Sequence, residues 1–277
     1  MKTKILKLML VVFIISLVAG CIAKNENSVI VQDNTAYNDP KEIRFITVGD
    51  PHVKSHNIDT GGNLRLAQIV DRVNKLDIDF VVFLGDITDD GKVQTFEITK
   101  KILKNMTKSY YVVIGNHDIF NDPKIFSSYF GSTEHIENIK GYQLIFVGIK
   151  NQTGEDGKIK LYWSFNFSKA DKSAPTLVFL HGPVRGPPSE CPSCKWEEFF
   201  GYARSMQTEI DNFPNLIGVY SGHVHYTSDQ TFNGVRYITI DGLIKTNAGG
   251  ISAIPSDEIG YSIIKDGKLE YKLINYK

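Results

Sequence analysis

Asp, Asn and His gather at five places in the chain, and five of its seven histidines are among them: Asp50-Pro51-His52, Gly85-Asp86-Ile87-Thr88-Asp89-Asp90, Gly115-Asn116-His117-Asp118, His181, and Gly222-His223-Val224-His225. Each piece alone has an ordinary explanation. Gly-Asp and Gly-Asn are common turn pairs, and a lone His181 fits a hydrogen-bonded core position. His223 and His225, two apart on extended chain and so on one side of it, fit a solvated strand face as well as a shared centre. Jointly they read differently. Five strand ends that supply only carboxylate, amide and imidazole would bury a costly polar cluster unless something fills it, and a divalent metal is the natural occupant. Imidazole with carboxylate and amide oxygen, and no thiolate, suits Mn, Fe or Zn better than the all-oxygen cages of Mg and Ca.

The elements that position these groups follow from periodicity. Apolar, β-branched runs predict strands at residues 43–48, 80–84, 110–114, 142–147, 176–180, 216–220 and 235–240. Leu64, Ala67, Ile69, Val70, Val73 and Leu76 form a stripe at helical spacing between the first and second strands, and Phe96, Ile98, Ile102 and Leu103 form another before the third. The βαβαβ order implies a largely parallel sheet covered by helices. Residues 196–213 read as a further helix, and 261–274 as a hairpin turning at Asp266-Gly267. Each polar cluster follows a strand, which is where ligands of open α/β sheets gather.

The five clusters, in order, resemble the motif set of the calcineurin-like metallophosphoesterases: D-x-H, G-D-x-x-D, G-N-H-D/E, H and G-H-x-H. The resemblance spans residues 43–225 and implies an α/β fold, a four-layer α/β/β/α sandwich of two mixed sheets flanked by helices. It also implies two divalent metal ions, one held by Asp50, His52 and His225, the other by Asn116, His181 and His223, with Asp86 bridging. In such a site two cations about 3.5–4 Å apart clamp the phosphate and activate a water for in-line attack. His117 is then a catalytic group beside the scissile bond that protonates the leaving oxygen or stabilises charge. Asp89 is the second catalytic residue, expected to orient His117 by accepting its other N–H. Asp90 is expected on a solvated turn, and the tyrosine ligand of purple acid phosphatases has no evident place.

Charge and cysteine usage bear on location. Among 277 residues, 31 Lys and Arg balance 31 Asp and Glu, and the body carries no basic block, which disfavours a nucleic-acid binder reliant on phosphate contacts. Lys2, Lys4 and Lys7 precede the uncharged run 8–18 and then Ala19-Gly20-Cys21. That run is shorter than the roughly 20 residues needed to cross a bilayer core, and has the shape of a signal segment. Val18-Ala19-Gly20-Cys21 resembles the lipobox of prokaryotic lipoproteins. Residues 1–20 are therefore expected to be a lipoprotein-type signal peptide, 21–41 a polar tether and 42–277 the metallophosphoesterase domain, membrane-anchored outside the cytoplasm by lipid on Cys21. Secretion or an uncleaved N-terminal anchor are the alternatives. Cys191 and Cys194 would be oxidised to each other in such a compartment; a zinc half-site would lack two ligands.

The expected activity is hydrolysis of phosphodiester or phosphomonoester bonds in small or envelope-associated substrates. Selectivity is expected from loops 121–140, 151–163 and 182–195; Arg185 could reach a phosphate there, with a surface Arg on a Pro-rich loop as the default, and His56 and His135 could line the pocket but read first as lone surface histidines. The competing reading is a tethered, non-catalytic binding protein that retains the fold, although no motif residue is missing.

Overall fold

A computed structural model describes residues 40–56, 61–153, 159–185, 204–244 and 256–277. The N-terminal segment with Cys21, the Cys191–Cys194 pair and the first part of the helix expected at 196–213 lie outside these residues. Among the described residues no helix is long and apolar enough to cross a membrane.

The strands are β1 (Ile43–Val48), β2 (Phe80–Phe83), β3 (Ser109–Val112), β4 (His135–Ile139), β5 (Tyr142–Phe146), β6 (Gly148–Thr153), β7 (Ile159–Ser164), β8 (Thr176–Phe179), β9 (Leu216–Ser221), β10 (Ser228–Phe232), β11 (Val235–Thr239), β12 (Glu258–Lys265) and β13 (Lys268–Asn275). The helices are α1 (Gly61–Val73), α2 (Val93–Leu103), α3 (Pro123–Phe130) and α4 (Arg204–Asp211). One sheet runs β13-β12-β1-β2-β3 and the other β10-β11-β9-β8-β5-β4, with a separate β6–β7 ribbon. β1, β2 and β3 are parallel, as are β5, β8, β9 and β11. β12, β13, β10 and β4 add antiparallel strands, so both sheets are mixed.

Strands apolar on both faces require cover on both, and alternation along each strand sorts its side chains. Ile43 and Phe45 of β1, and Phe80 and Val82 of β2, lie in one buried cluster with Tyr142, Leu144, Phe146, Leu177, Phe179 and Tyr220 of the second sheet. Phe45 meets Phe179 and Tyr220 edge-on across this layer, with ring centroids 5.9 and 5.4 Å apart. Ile46, Val48, Val81 and Phe83 point the other way, into the cluster that holds Leu66, Ile69, Val70 and Val73 of α1 and Phe96 and Leu103 of α2. The stripe on α1 is rotated from its expected position: Leu66 is fully buried, whereas Leu64 is 45% exposed. Behind the second sheet, α4 and the chain after it pack through Met206, Ile210 and Phe213, and Phe213 meets Phe167 at 5.5 Å. The result is the expected pair of mixed sheets between outer layers, except that the β6–β7 ribbon shares the second outer layer with α4.

Tyr220 of β9 and Ser262 of β12 hydrogen-bond between the sheets at 2.9 Å, which satisfies two polar groups in the apolar layer. The C-terminal hairpin turns where expected, with Asp266 and Gly267 both at positive φ, as a two-residue turn of matching twist requires.

Candidate active site

The carboxyl ends of β1, β2, β8 and β9, with the loop after β3, converge and carry their polar residues to one place. Asp50, His52, Asp86 and His181 are at most 2% exposed, and His225 is 8% exposed. Of the nine described non-glycine residues at positive φ, five are Asp50, His52, Asp86, His223 and His225. Such backbone costs of order 1–3 kcal/mol per residue and persists where the surroundings impose it, typically at functional sites. Two neighbouring glycines show how tightly they do: a Cβ on Gly115 would strike the Asp86 carboxylate, and one on Gly222 that of Asp50.

Among the described residues three donor groups have their ligand atoms within 4.8 Å of one another: Asp50, His52 and His225 form the first and Asp86, His181 and His223 the second, while His52, Asp89 and His117 form a set at the rim that shares His52 with the first. Asn116 joins the second group, its Oδ1 3.0 Å from His181 Nε2. Asp86 reaches the first and the second, with Oδ2 3.3 Å from His181 Nε2 and 3.6 Å from His52 Nε2. The ring nitrogens face each other in pairs, His52 Nε2 to His225 Nε2 at 3.3 Å and His181 Nε2 to His223 Nδ1 at 3.1 Å. All seven expected metal ligands are thus brought together.

The outer contacts aim these rings. His181 Nδ1–H donates to the Leu84 carbonyl at 2.7 Å, and His52 Nδ1 lies 3.3 Å from an Asp89 carboxylate oxygen, so both Nε2 atoms turn into the cluster. Asp50 accepts from the His223 backbone N–H at 2.9 Å, and Asp86 from that of His117 at 2.8 Å.

Burial, helped by repulsion from His181 for the one and from His52 for the other, lowers His223 and His225 to about 3, leaving both rings neutral with lone pairs to offer. Burial pushes the Asp50 carboxyl well above its usual range, against the pull of His181. Burial alone would likewise raise Asp86 and lower His181, but their mutual attraction wins, holding Asp86 far below the carboxylate range and lifting His181 to about 9. Imidazole nitrogens, buried carboxylates and an amide oxygen aimed at common points are donors of the kind that divalent cations take, in both the first and the second group.

His117 stands at the rim. Its side chain is 31% exposed, its Nε2 lies 3.9 Å from Asp86, and its ring meets His52 edge-on at 4.6 Å. Its Nδ1 partner differs from the expectation. Nδ1–H donates to the backbone carbonyl of Asp89 at 2.8 Å, whereas the Asp89 carboxylate faces His52 and, at 3.5 Å, Lys54. The nearby His52 ring, ahead of burial, sets the Asp89 carboxyl below its usual range.

Four further residues stand apart from the cluster. Asp90, expected on a solvated turn, accepts from Thr95 Oγ1 at 2.7 Å and from Lys92 N at 3.2 Å at the start of α2. Arg185, a candidate to reach phosphate, pairs with Asp211 of α4 and lies over the rings of Phe232 and Tyr237. His135 is stacked on Phe146 at 4.5 Å, away from the cluster, and His56 is exposed.

Two residues without an expected role support the site. Asp118 is fully buried and accepts from Thr88 N, Thr88 Oγ1 and Gly115 N at 2.8–2.9 Å and from Ile87 N at 3.3 Å, joining the loops that carry Asp86 and Asn116. Burial, with repulsion from Asp86, raises its carboxyl to about 6. Trp163 of β7 meets His181 and His223 edge-on, at 5.6 and 6.3 Å, and backs the second donor group. Asp118 was visible in the motif but its partners were not; Trp163 had no local signal.

Two face-to-face mixed sheets with a His/Asp/Asn cluster at the carboxyl ends of their parallel strands define a class of metal-dependent phosphoesterases. The chain belongs to the calcineurin-like phosphoesterase family, which matches residues 43–227. It is 24% identical over 250 residues to a probable glycerophosphodiester phosphodiesterase GpdQ of Arcobacter nitrofigilis, covering 82% of this chain and 83% of that one. It is 23% identical over 201 residues to a probable cyclic nucleotide phosphodiesterase of Ruthia magnifica, covering 70% and 83%. Its fold is similar to that of a dimetal phosphatase from Danio rerio, with TM-score 0.53, 18% identity and coverage of 86% and 100%. The family uses dinuclear divalent metals, and the chain is a metal-dependent phosphoesterase belonging to it.

Proposed function

We propose that the protein is a dinuclear-metal phosphodiesterase of small or envelope-associated substrates, held outside the cytoplasm by lipid on Cys21. The observation that carries the catalytic part is the reach of one carboxylate, Asp86, into both donor groups with His117 beside it. Asp50, His52 and His225 would hold one cation, and Asn116, His181 and His223 the other, with Asp86 between them. Bound cations supply charge neutralisation of the phosphate and activation of a water.

The chain's own residues do the rest. With Nδ1–H committed to the Asp89 carbonyl, His117 turns Nε2 towards the reacting centre, and this is the atom that passes a proton to the departing alkoxide. The Asp89 carboxylate orients His52 and raises its basicity as a ligand. The names of the two relatives, both diesterases, favour a diester over a monoester. The test is direct: purified protein, stripped with chelator and reloaded with Mn, Fe or Zn, should hydrolyse diesters faster than monoesters and bind two metal equivalents. Hydrolysis of neither class, whichever ion is supplied, would refute the reading.

The location rests on the basic start, the short apolar run and Ala19-Gly20 before Cys21.

A further inference from the structure

Four large hydrophobic residues are exposed among the described ones, and Phe120, at 60%, is the most exposed. Single exposed hydrophobics are ordinary on a surface, so its position is what matters. The Phe120 ring lies against His117, centroids 4.5 Å apart at 44°, while the other contact of the His117 ring is His52 in the first donor group. Phe120 is therefore the next surface outward from the cluster past the histidine that serves the leaving group.

It is also held there. His117–Ile119 form a 3-10 turn, and Phe120 N–H donates back to the His117 carbonyl at 3.4 Å. Asn121 Nδ2 donates to the Asp90 carbonyl at 2.6 Å, tying the next residue to the loop that carries Asp86 and Asp89. A fixed aromatic face with one side open to solvent is preorganised for stacking, because little freedom remains to be lost when a planar group settles on it.

We propose that Phe120 is a specificity-determining residue that stacks a planar aromatic group, such as a nucleobase, carried by the alcohol that leaves. The inference rests on the diesterase reading above and deepens it by naming the substrate class. Glycerol and other small polyols have no such face, so esters of them would gain nothing from Phe120.

The test uses the full chain loaded with metal, in wild-type form and as Phe120→Ala, Phe120→Leu and Phe120→Tyr. Binding of adenosine 5′-monophosphate and of ribose 5-phosphate is measured by calorimetry, and kcat and KM are measured on adenosine 3′,5′-cyclic phosphate and on glycerophosphoethanolamine. Wild type should bind the nucleotide about tenfold tighter than the sugar phosphate, the scale of one base–aromatic stack. Phe120→Ala and Phe120→Leu should erase that preference and raise KM for the cyclic nucleotide alone, and Phe120→Tyr should keep both. Equal affinity for the two ligands in wild type would overturn the proposal. So would a fall in kcat on both substrates with the preference intact, which would mean that Phe120 only props His117. A preference kept by Phe120→Leu would show an apolar rather than a planar requirement and overturn it as well. Absence of hydrolysis throughout would count against the diesterase reading, while the binding comparison would still decide the stack.

Discussion

His117 and Asp89 are joined through the backbone: the imidazole Nδ1–H donates to the Asp89 carbonyl at 2.8 Å, and the Asp89 carboxylate is turned to His52 instead. The two functions of Asp89 are therefore separable. Asp89→Asn should leave the His117 ring in place and weaken the ion held by Asp50, His52 and His225, by about 10- to 100-fold in affinity, as for other groups that orient a ligand. Metal titration followed by calorimetry checks this; unchanged affinity with lost activity would contradict it.

His117→Ala should retain fold and metal content and lose roughly 10²- to 10⁴-fold in kcat, the scale of a positioned acid. The loss should be far larger on an alkyl diester than on a p-nitrophenyl diester, whose leaving group departs without a proton. Equal losses on the two would assign His117 to charge stabilisation instead.

Asp86→Ala should be the most damaging ligand substitution. It removes a carboxylate that lies beside the Nε2 atoms of His52 and His181, one in each donor group, and would leave two cations repelling each other. Elemental analysis should show fewer than two metals per chain, and activity should fall at least roughly 10²-fold.

Asp118→Ala should destabilise the fold by about 3 kcal/mol, because buried donors on two loops lose their acceptor together. Denaturant melts of metal-free protein measure this. Asp118→Asn, which keeps an acceptor oxygen, should cost less.

Arg185→Ala should leave kcat/KM unchanged and lower stability by about 2 kcal/mol. The side chain is spent on Asp211 and on the rings beside it. Thermal melts and steady-state kinetics on one preparation separate the two effects.

Native protein should carry lipid on Cys21, and Cys21→Ser should release it from the membrane or stall processing. Mass spectrometry of the N-terminus decides; an intact Met1 chain with unmodified Cys21 would refute the anchor.

What could be read from the sequence divides along physical lines. Strands such as Phe80–Phe83 and Thr176–Phe179 are apolar on both faces, and that burial is written into consecutive residues. β4 and β10, with HIENI and SDQTF, lie at sheet edges where solvent replaces one neighbour, so their alternation is too polar to stand out. The seven residues of the cluster were legible because metal chemistry demands particular side chains at strand ends. The partner of His117 was not, since a backbone carbonyl is the same in every residue. Nor was the work of Asp118, whose acceptor role joins groups about thirty positions away in the chain.

β1, which opens the domain and leads into Asp50, completes its pairing only with β12, register Ile43 to Ile264, near the far end of the chain. Asp50 is closed in from the same side, its carbonyl accepting from Leu243 N–H at 3.2 Å. Contacts so distant along the chain slow folding, because the loop entropy must be met before the pairing rewards it. A chain that has not yet paired β1 with β12 therefore lacks a finished first donor group. Metal capture should come after that pairing and act as a report that folding is complete.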